Sequence, residues 1–248
     1  MSGNGGNGRL VLFDLDATLF DHQGSLAAGM AILQRSYSMM AAFDLQHLID
    51  TYNAALERAF EQYMRGEVTL TERDRIKMRY FLADMGLPEL DDAGIDELQA
   101  TYRTVYRASQ RPVAGSVEAL AALKTRGYRI GVLTNGEKSQ QEAKVRNIGA
   151  WELVERVVAS SEVGCGKPDR RAFDYMLEAM GATASGTVMV GDSWEKDVLG
   201  ALGVGMAAVW FEPAYEEGAE EVRVVDGREV VVVRSMGELV GRLEAMAW

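Results

Sequence analysis

What this sequence has little of bounds it first. Among 248 residues there is one cysteine, Cys165, so no intramolecular disulfide can form and nothing points to an oxidising compartment. Histidine occurs twice, as His22 and His47, which leaves no His/Cys ligand set of the kind zinc takes. Basic residues number 26 against 37 acidic ones, a formal charge of −11. That balance argues against nucleic acid or an anionic membrane surface as partner, because both reward clustered Lys and Arg. No apolar run approaches the roughly 18 residues that span a bilayer, and the opening MSGNGGNG lacks the apolar core of a signal peptide. These absences lead to the expectation of a soluble cytoplasmic protein, monomer or homodimer, with a flexible tail over residues 1–8 and a small molecule as its partner.

With 48% apolar residues the chain can bury a large core in one or two domains. Its organising stretch is LVLFDLDATLF, Leu10 to Phe20. A short apolar run bounded by polar residues predicts a strand buried on both faces, as in a parallel sheet. Asp14 and Asp16 then fall at its carboxyl end, where open α/β sheets bind ligands. Two carboxylates that close are costly unless a cation lies between them or one keeps its proton. A solvated acidic turn at a strand end is the plain alternative.

From Gly24 to about Gln110 the periodicity is helical, and four amphipathic helices are predicted. The second carries Leu45, Leu48, Ile49, Tyr52, Leu56, Phe60 and Met64 on one face. The third is predicted to open at Thr71 with Asp74 as its capping box, and the fourth to present Ile95, Leu98, Tyr102, Val105 and Tyr106. Six methionines in this block suit helix-to-helix packing. After Arg111 strands and helices alternate, which implies βαβ units. Strands are predicted at 129–135, 155–160, 187–193 and 207–212, with helices from Ser116, after Gly136 and from Pro168. Asp226-Gly227 between two valine-rich runs predicts a hairpin, and Ser235 with Glu238 caps a last helix. The fold class that follows is α/β: a three-layer, Rossmann-like parallel sheet core, residues 9–21 and 110–248, with an inserted all-helical cap at 22–109.

Four groups of polar residues fall at or beyond the carboxyl ends of these strands: Asp14 and Asp16, Thr134-Asn135-Gly136, Lys167, and Asp192 with Asp197. Each has an innocent reading alone. Thr134 with Glu137, and Asp192 with Glu195, are possible capping boxes, and Lys167 is a possible surface lysine. Their conjunction at one edge of one sheet is harder to dismiss.

DLDAT, LTNG, GKPD and VGDSWEKD, in this order and with a helical insertion after the first, resemble the haloacid dehalogenase-like hydrolase superfamily. The likeness runs from about residue 9 to the last helix and is closest in kind to helical-cap phosphatases of the N-acylneuraminate-9-phosphatase, nucleotidase and phosphoglycolate phosphatase type. It implies a Mg²⁺-dependent phosphomonoester hydrolase with Asp14 as nucleophile and Asp16 as acid and base, kept protonated by neighbouring acids. It further implies that Mg²⁺ is held by the carboxylates of Asp14 and Asp192 and the main-chain carbonyl of Asp16. Thr134 and the N–H groups of Asn135 and Gly136, with the next helix N-terminus, would bind phosphoryl oxygens. Lys167 would neutralise them. Thr18 and Asp197 stand behind these groups, Asp197 orienting Lys167 or a metal-bound water. Ala17 departs from the usual pattern, where glycine is frequent, and Arg170-Arg171 depart where a proline is frequent.

Within the same superfamily a 2-haloacid dehalogenase or a phosphomutase is an alternative; dehalogenation needs no proton donor, and Asp16 speaks against it. A phospho-accepting signalling domain is the alternative from another class, disfavoured by the helical insertion. Cys165 reads as a small buried residue. His22 reads as a hinge residue or part of the site entrance. Arg73, Arg75, Lys77 and Arg79 read either as a solvated helix face or as groups that meet an anionic substrate.

Overall fold

The structure, a computed structural model, describes residues 8–214, 221–246 and 248, so the expected tail lies outside the described residues except for Gly8. The chain divides into two compact units, Met1–Asp21 with Arg111–Trp248, and His22–Gln110.

The inserted unit is built of α1 (His22–Ser36), α2 (Leu45–Met64), α3 (Leu70–Asp84) and α4 (Asp92–Ala108). Its core joins Leu26, Met30 and Leu33 of α1 to Leu48, Ile49 and Tyr52 of α2, Met78 and Phe81 of α3, and Ile95, Leu98 and Tyr102 of α4. The buried stripe of α2 continues through Ala55 and Ala59 rather than Leu56 and Phe60, because small residues let α2 lie close to its neighbours. The capping box of α3 is Thr69 with Glu72, two residues before the expected pair. The Thr69 N–H donates to Glu72 at 2.7 Å, while Asp74 is taken up by arginines.

The other unit is a seven-stranded sheet of β1 (Leu10–Phe13), β2 (Arg129–Thr134), β3 (Arg156–Ala159), β4 (Thr187–Gly191), β5 (Ala207–Phe211), β6 (Val222–Val225) and β7 (Arg228–Val233). The order is β3-β2-β1-β4-β5-β7-β6, parallel except for β6 at the edge. Its helices are α5 (Ser116–Thr125), α6 (Lys138–Asn147), the single turn α7 (Ser160–Val163), α8 (Arg170–Met180), α9 (Gly200–Val204) and α10 (Met236–Ala245). Trp194–Leu199, which runs into α9, has the wider π-helical turn.

Leu10 and Leu12 pack with Phe173 and Met176 of α8 and with Ala201 and Leu202 of α9. Strand alternation sends Val11 and Phe13 to the opposite face, where α5 and α10 lie against each other. Asp226 and Gly227 both have positive φ, 50° and 75°, as a two-residue hairpin turn requires. Pro168 precedes α8 rather than opening it; the cap is Asp169, whose carboxylate accepts from the Arg171 N–H. Where the chain crosses out of and back into the sheet unit, the Asp21 N–H donates to the Arg111 carbonyl and the Val113 N–H to that of Leu19.

Candidate active site

β1 lies between β2 and β4, with Phe13 opposite both Val132 and Val190. Strand order reverses direction at β1, and the carboxyl ends beside such a point form the crevice of an open α/β sheet. Asp14 and Asp16 leave β1 there, Thr134 ends β2, Lys167 follows β3, and Asp192 follows β4.

Lys167 is the hub, 4% exposed. Its ammonium donates to Asp14 Oδ1 at 2.7 Å and to Asp197 Oδ1 at 2.6 Å. Carboxylate oxygens of Asp14, Asp192 and Asp197 all lie within 4.8 Å of one another. Burial pushes the Asp14 carboxyl well above the usual carboxylate range; Lys167 opposes this, and Asp197 and Asp192 add to it. Asp192 is raised to about 6 by burial and by Asp197. Burial disfavours the Lys167 ammonium, but Asp14 and Asp197 outweigh it and hold its pKa above the ordinary lysine value. Asp14 and Asp197 thus share one buried lysine with half-buried Asp192 beside them, an excess of negative charge that a cation would relieve. The donors are all oxygen, the set that suits Mg²⁺.

The remaining contacts fix these groups. The Ser193 N–H donates to Asp197 Oδ2 at 3.0 Å. Gly191 leaves the space Asp197 uses, since a Cβ there would stand 2.2 Å from Asp197 Oδ2. Thr18 Oγ1 donates to Asp192 Oδ1 at 3.2 Å and accepts from the Asp192 N–H at 3.1 Å. Trp210 Nε1 donates to the Asp192 carbonyl at 2.8 Å. Arg223 of the β6–β7 hairpin lies over the Trp210 and Trp194 rings, which connects the hairpin to this loop. The Asp192–Glu195 box, the plain alternative, does not form, because Ser193 caps that turn instead.

The second motif behaves differently from expectation in part. Asn135 clamps the Lys167 backbone: its Nδ2 donates to the Lys167 carbonyl at 2.9 Å and its Oδ1 accepts from the Lys167 N–H at 2.8 Å. The Gly136 N–H, expected to face a phosphoryl group, donates instead to Ser160 Oγ at 2.9 Å. The N-terminus of α6 is likewise satisfied internally, with the Lys138 N–H on Ser161 Oγ and the Gln140 N–H on Glu137. Glu137 is itself the cap, so it does not pair with Thr134.

The Asp16 carboxyl, expected to face other acids, is held by two residues of α6. Its two oxygens accept from Lys144 Nζ at 2.7 and 2.8 Å, and Oδ2 also accepts from Gln141 Nε2 at 3.0 Å. Gln141 Nε2 also donates to Thr134 Oγ1 at 2.7 Å. Sequence reasoning missed both residues. The available signal was their spacing, since positions 141 and 144 share one face of the helix that follows Thr134. Cys165 is buried, and burial raises its thiol pKa.

Sheet order, acid–lysine cluster and inserted helices together define a Rossmann-like hydrolase with a helical insertion. Residues 9–205 match the haloacid dehalogenase-like hydrolase model, and the chain belongs to that family. It is 29% identical over 237 residues to a glyceraldehyde 3-phosphate phosphatase of Methanothermobacter thermautotrophicus, covering 93% of this chain and 97% of that one. It is 32% identical over 212 residues to a ribulose-1,5-bisphosphate 5-phosphatase of Halopiger xanaduensis, covering 85% and 87%. In fold it resembles the L-2-haloacid dehalogenase of Xanthobacter autotrophicus, with a TM-score of 0.73, 19% identity, and 97% and 100% of the two chains covered.

Proposed function

We propose that this hydrolase is a Mg²⁺-dependent phosphomonoesterase of small organic phosphates that works through an aspartyl-phosphate on Asp14. The observation that carries the reading is the buried Lys167 held between Asp14 and Asp197, with Asp192 beside them. The two relatives described above are named as phosphatases, which supports phosphate esters as the substrate class.

Asp14 and Asp192, with the main-chain carbonyl of Asp16, would hold Mg²⁺, which when bound neutralises carboxylate and phosphoryl charge. With that charge balanced, Asp14 is an ionised nucleophile at neutral pH and needs no base. An Asp14 oxygen attacks phosphorus while the ester P–O bond breaks, and Asp16 passes its proton to the leaving alkoxide. Asp16 then takes a proton from water, the water oxygen attacks phosphorus, and the Asp14–phosphorus bond breaks to release phosphate. Thr134 and the Asn135 N–H bind phosphoryl oxygens, and Lys167 offsets their charge. Lys144 and Gln141 hold the Asp16 carboxyl group in place. The Lys144 contact must loosen when Asp16 takes up the proton that the first step spends. The presence of Asp16 favours a phosphatase over a dehalogenase, since halide departure uses no proton.

A panel of phosphomonoesters, assayed with Mg²⁺ and with excess chelator, tests this. Turnover of at least one small phosphate ester that chelator abolishes and Mg²⁺ restores is the expected outcome. Full activity in excess chelator contradicts it.

A further inference from the structure

The peptide group between Asp192 and Ser193 is held from both sides. Its carbonyl accepts from Trp210 Nε1 at 2.8 Å, and its N–H donates to Asp197 Oδ2 at 3.0 Å. A peptide is planar, so fixing the direction of one group fixes that of the other. Trp210 thereby sets the line along which Asp197 is bound, and Asp197 takes Lys167 on its other oxygen at 2.6 Å. The Asp192 N–H goes to Thr18 Oγ1 at 3.1 Å. Asp192 is therefore fixed through its main chain on both sides. Only its side-chain torsions are left to turn its carboxylate away from Asp14 and Asp197.

Trp210 is itself held. It stands on β5 beside Gly191, the last residue of β4, which brings its indole level with the loop that follows. Trp194 meets it edge-on, with ring centroids 5.0 Å apart. Arg223 lies over both rings, its guanidinium carbon 4.9 Å from the Trp210 centroid and 5.4 Å from that of Trp194. Arg223 pairs with Val230 of β7, and Val230 with Ala208 of β5, so the side chain reaches across two strand spacings, about 10 Å. Only a long side chain spans that gap, and a planar guanidinium suits the ring at its end. The hairpin that carries Arg223 is tied down separately. Arg228 Nη1 donates to the Leu202 carbonyl at 2.6 Å, and Val225 packs on the core that α8 and α9 share.

We propose that Trp210 is a positioning residue for the cation site, and that Arg223 of the hairpin holds it in that role. The proposal rests on the Mg²⁺ reading of Asp14 and Asp192. Like charges gathered within 4.8 Å turn apart unless their supports oppose it. A support anchored in the sheet keeps the carboxylates converged before a cation arrives, so that less ordering is left for binding to impose. An indole N–H is a donor only, so Trp210 acts through one peptide group and not by ligation.

Calorimetric titration of the whole chain with Mg²⁺ is the first measurement. Trp210→Phe keeps a ring but removes the donor, and Mg²⁺ should bind about tenfold more weakly. Arg223→Met should act in the same direction by about threefold, and it carries the test should Trp210→Phe fail to fold. Trp151→Phe, which precedes β3 and lies under Arg146, should change nothing. The second measurement is amide hydrogen exchange without metal. The Ser193 N–H should exchange about tenfold faster in Trp210→Phe, whereas that of Met189 within β4 should not change. For an ester that is turned over, the Mg²⁺ concentration at half-maximal rate should rise while kcat at saturating Mg²⁺ stays level. Unaltered Mg²⁺ affinity in folded Trp210→Phe, or in Arg223→Met, overturns the proposal. So does equal acceleration at Ser193 and Met189, the mark of general destabilisation. If wild type binds no Mg²⁺, the metal reading falls, and exchange at Ser193 alone decides whether Trp210 positions this loop.

Discussion

The two units of this chain gather opposite excesses of charge. In the sheet unit Asp14 and Asp197 share Lys167, with Asp192 beside them. In the helical unit three cations, Arg73, Lys77 and Arg103, share Asp74. Each cluster pushes members of its majority sign toward neutrality, Asp192 up to about 6 and Lys77 down to about 8. Complete ion pairs need no further partner, and those on the surface of α3 show this. The sheet cluster keeps a largely buried excess of negative charge that suits a cation, whereas in the helical unit Arg103 meets solvent and the excess is screened.

Removing the minority charge should break this comparison most sharply. Lys167→Met leaves buried carboxylates unpaired and should cost about 3–5 kcal/mol of stability, restored by Mg²⁺. Asp74→Asn should cost less, about 2 kcal/mol, because solvent screens the half-exposed Arg103. Mg²⁺ should not restore it. Denaturant titrations of each variant with and without Mg²⁺ decide the matter, and rescue of Asp74→Asn by Mg²⁺ would remove the distinction.

A smaller effect is expected with pH. In the metal-free chain Asp192 has a folded pKa of about 6 against an ordinary 3.8. The folded state therefore holds a proton that the unfolded state has released, and stability relative to Asp192→Asn should fall as pH rises between those values. Lys77 has a folded pKa of about 8 against 10.5, so the unfolded state binds the extra proton there. Stability relative to Lys77→Met should rise as pH rises from about 8 to 10.5. Each window spans up to about 3 kcal/mol, and thermal melting across pH should show opposite slopes. Mg²⁺ should flatten the first and leave the second.

Smaller again is the expected effect of Lys144→Met. Turnover of an alkyl phosphate should fall about tenfold, or about 1.4 kcal/mol in the barrier, with little change in KM. Turnover of nitrophenyl phosphate should fall less in its first step, because that leaving group needs little protonation. Equal loss on both esters would mean that Lys144 does not act through Asp16. Smallest is Ala17→Gly. Ala17 has φ 64°, in the left-handed region that costs a residue with a Cβ roughly 1 kcal/mol, so denaturant unfolding should show glycine stabilising by up to about that amount. The same angle explains why glycine is frequent where this chain has alanine.

Much of the fold was legible in the sequence because each parallel strand is a short apolar run and Asp226-Gly227 marks its turn unambiguously. Helix starts were harder. Thr69 with Glu72 and Thr71 with Asp74 are overlapping capping patterns, and only the capture of Asp74 by Arg73 and Arg103 decides between them. Arg73, Arg75, Lys77 and Arg79 look alike in one dimension; which pair is buried depends on how α3 meets α2 and α4. The motif residues at the ends of β1, β2 and β4 were legible because strand ends converge on one edge. The Gly136 N–H was misread because Ser160, which takes it, lies 24 residues further on. Gln141 and Lys144 were invisible because polar residues on a helix after a strand are ordinary, and nothing local says that they reach back to Asp16.

In the proposed mechanism Asp14 carries the phosphoryl group and Asp16 moves the proton. Asp16→Asn keeps the main-chain carbonyl and nearly the same volume but cannot shuttle a proton. Turnover of an alkyl phosphate should therefore fall by about 10²–10⁴, while an activated ester should still phosphorylate the enzyme. Rapid quench of Asp16→Asn with nitrophenyl phosphate and Mg²⁺, followed by mass spectrometry, should find the added phosphate on the peptide that contains Asp14. It should find none when Asp14→Asn is combined with it. Equal loss on both esters with no trapped phosphate, or phosphate on any other peptide, contradicts the account.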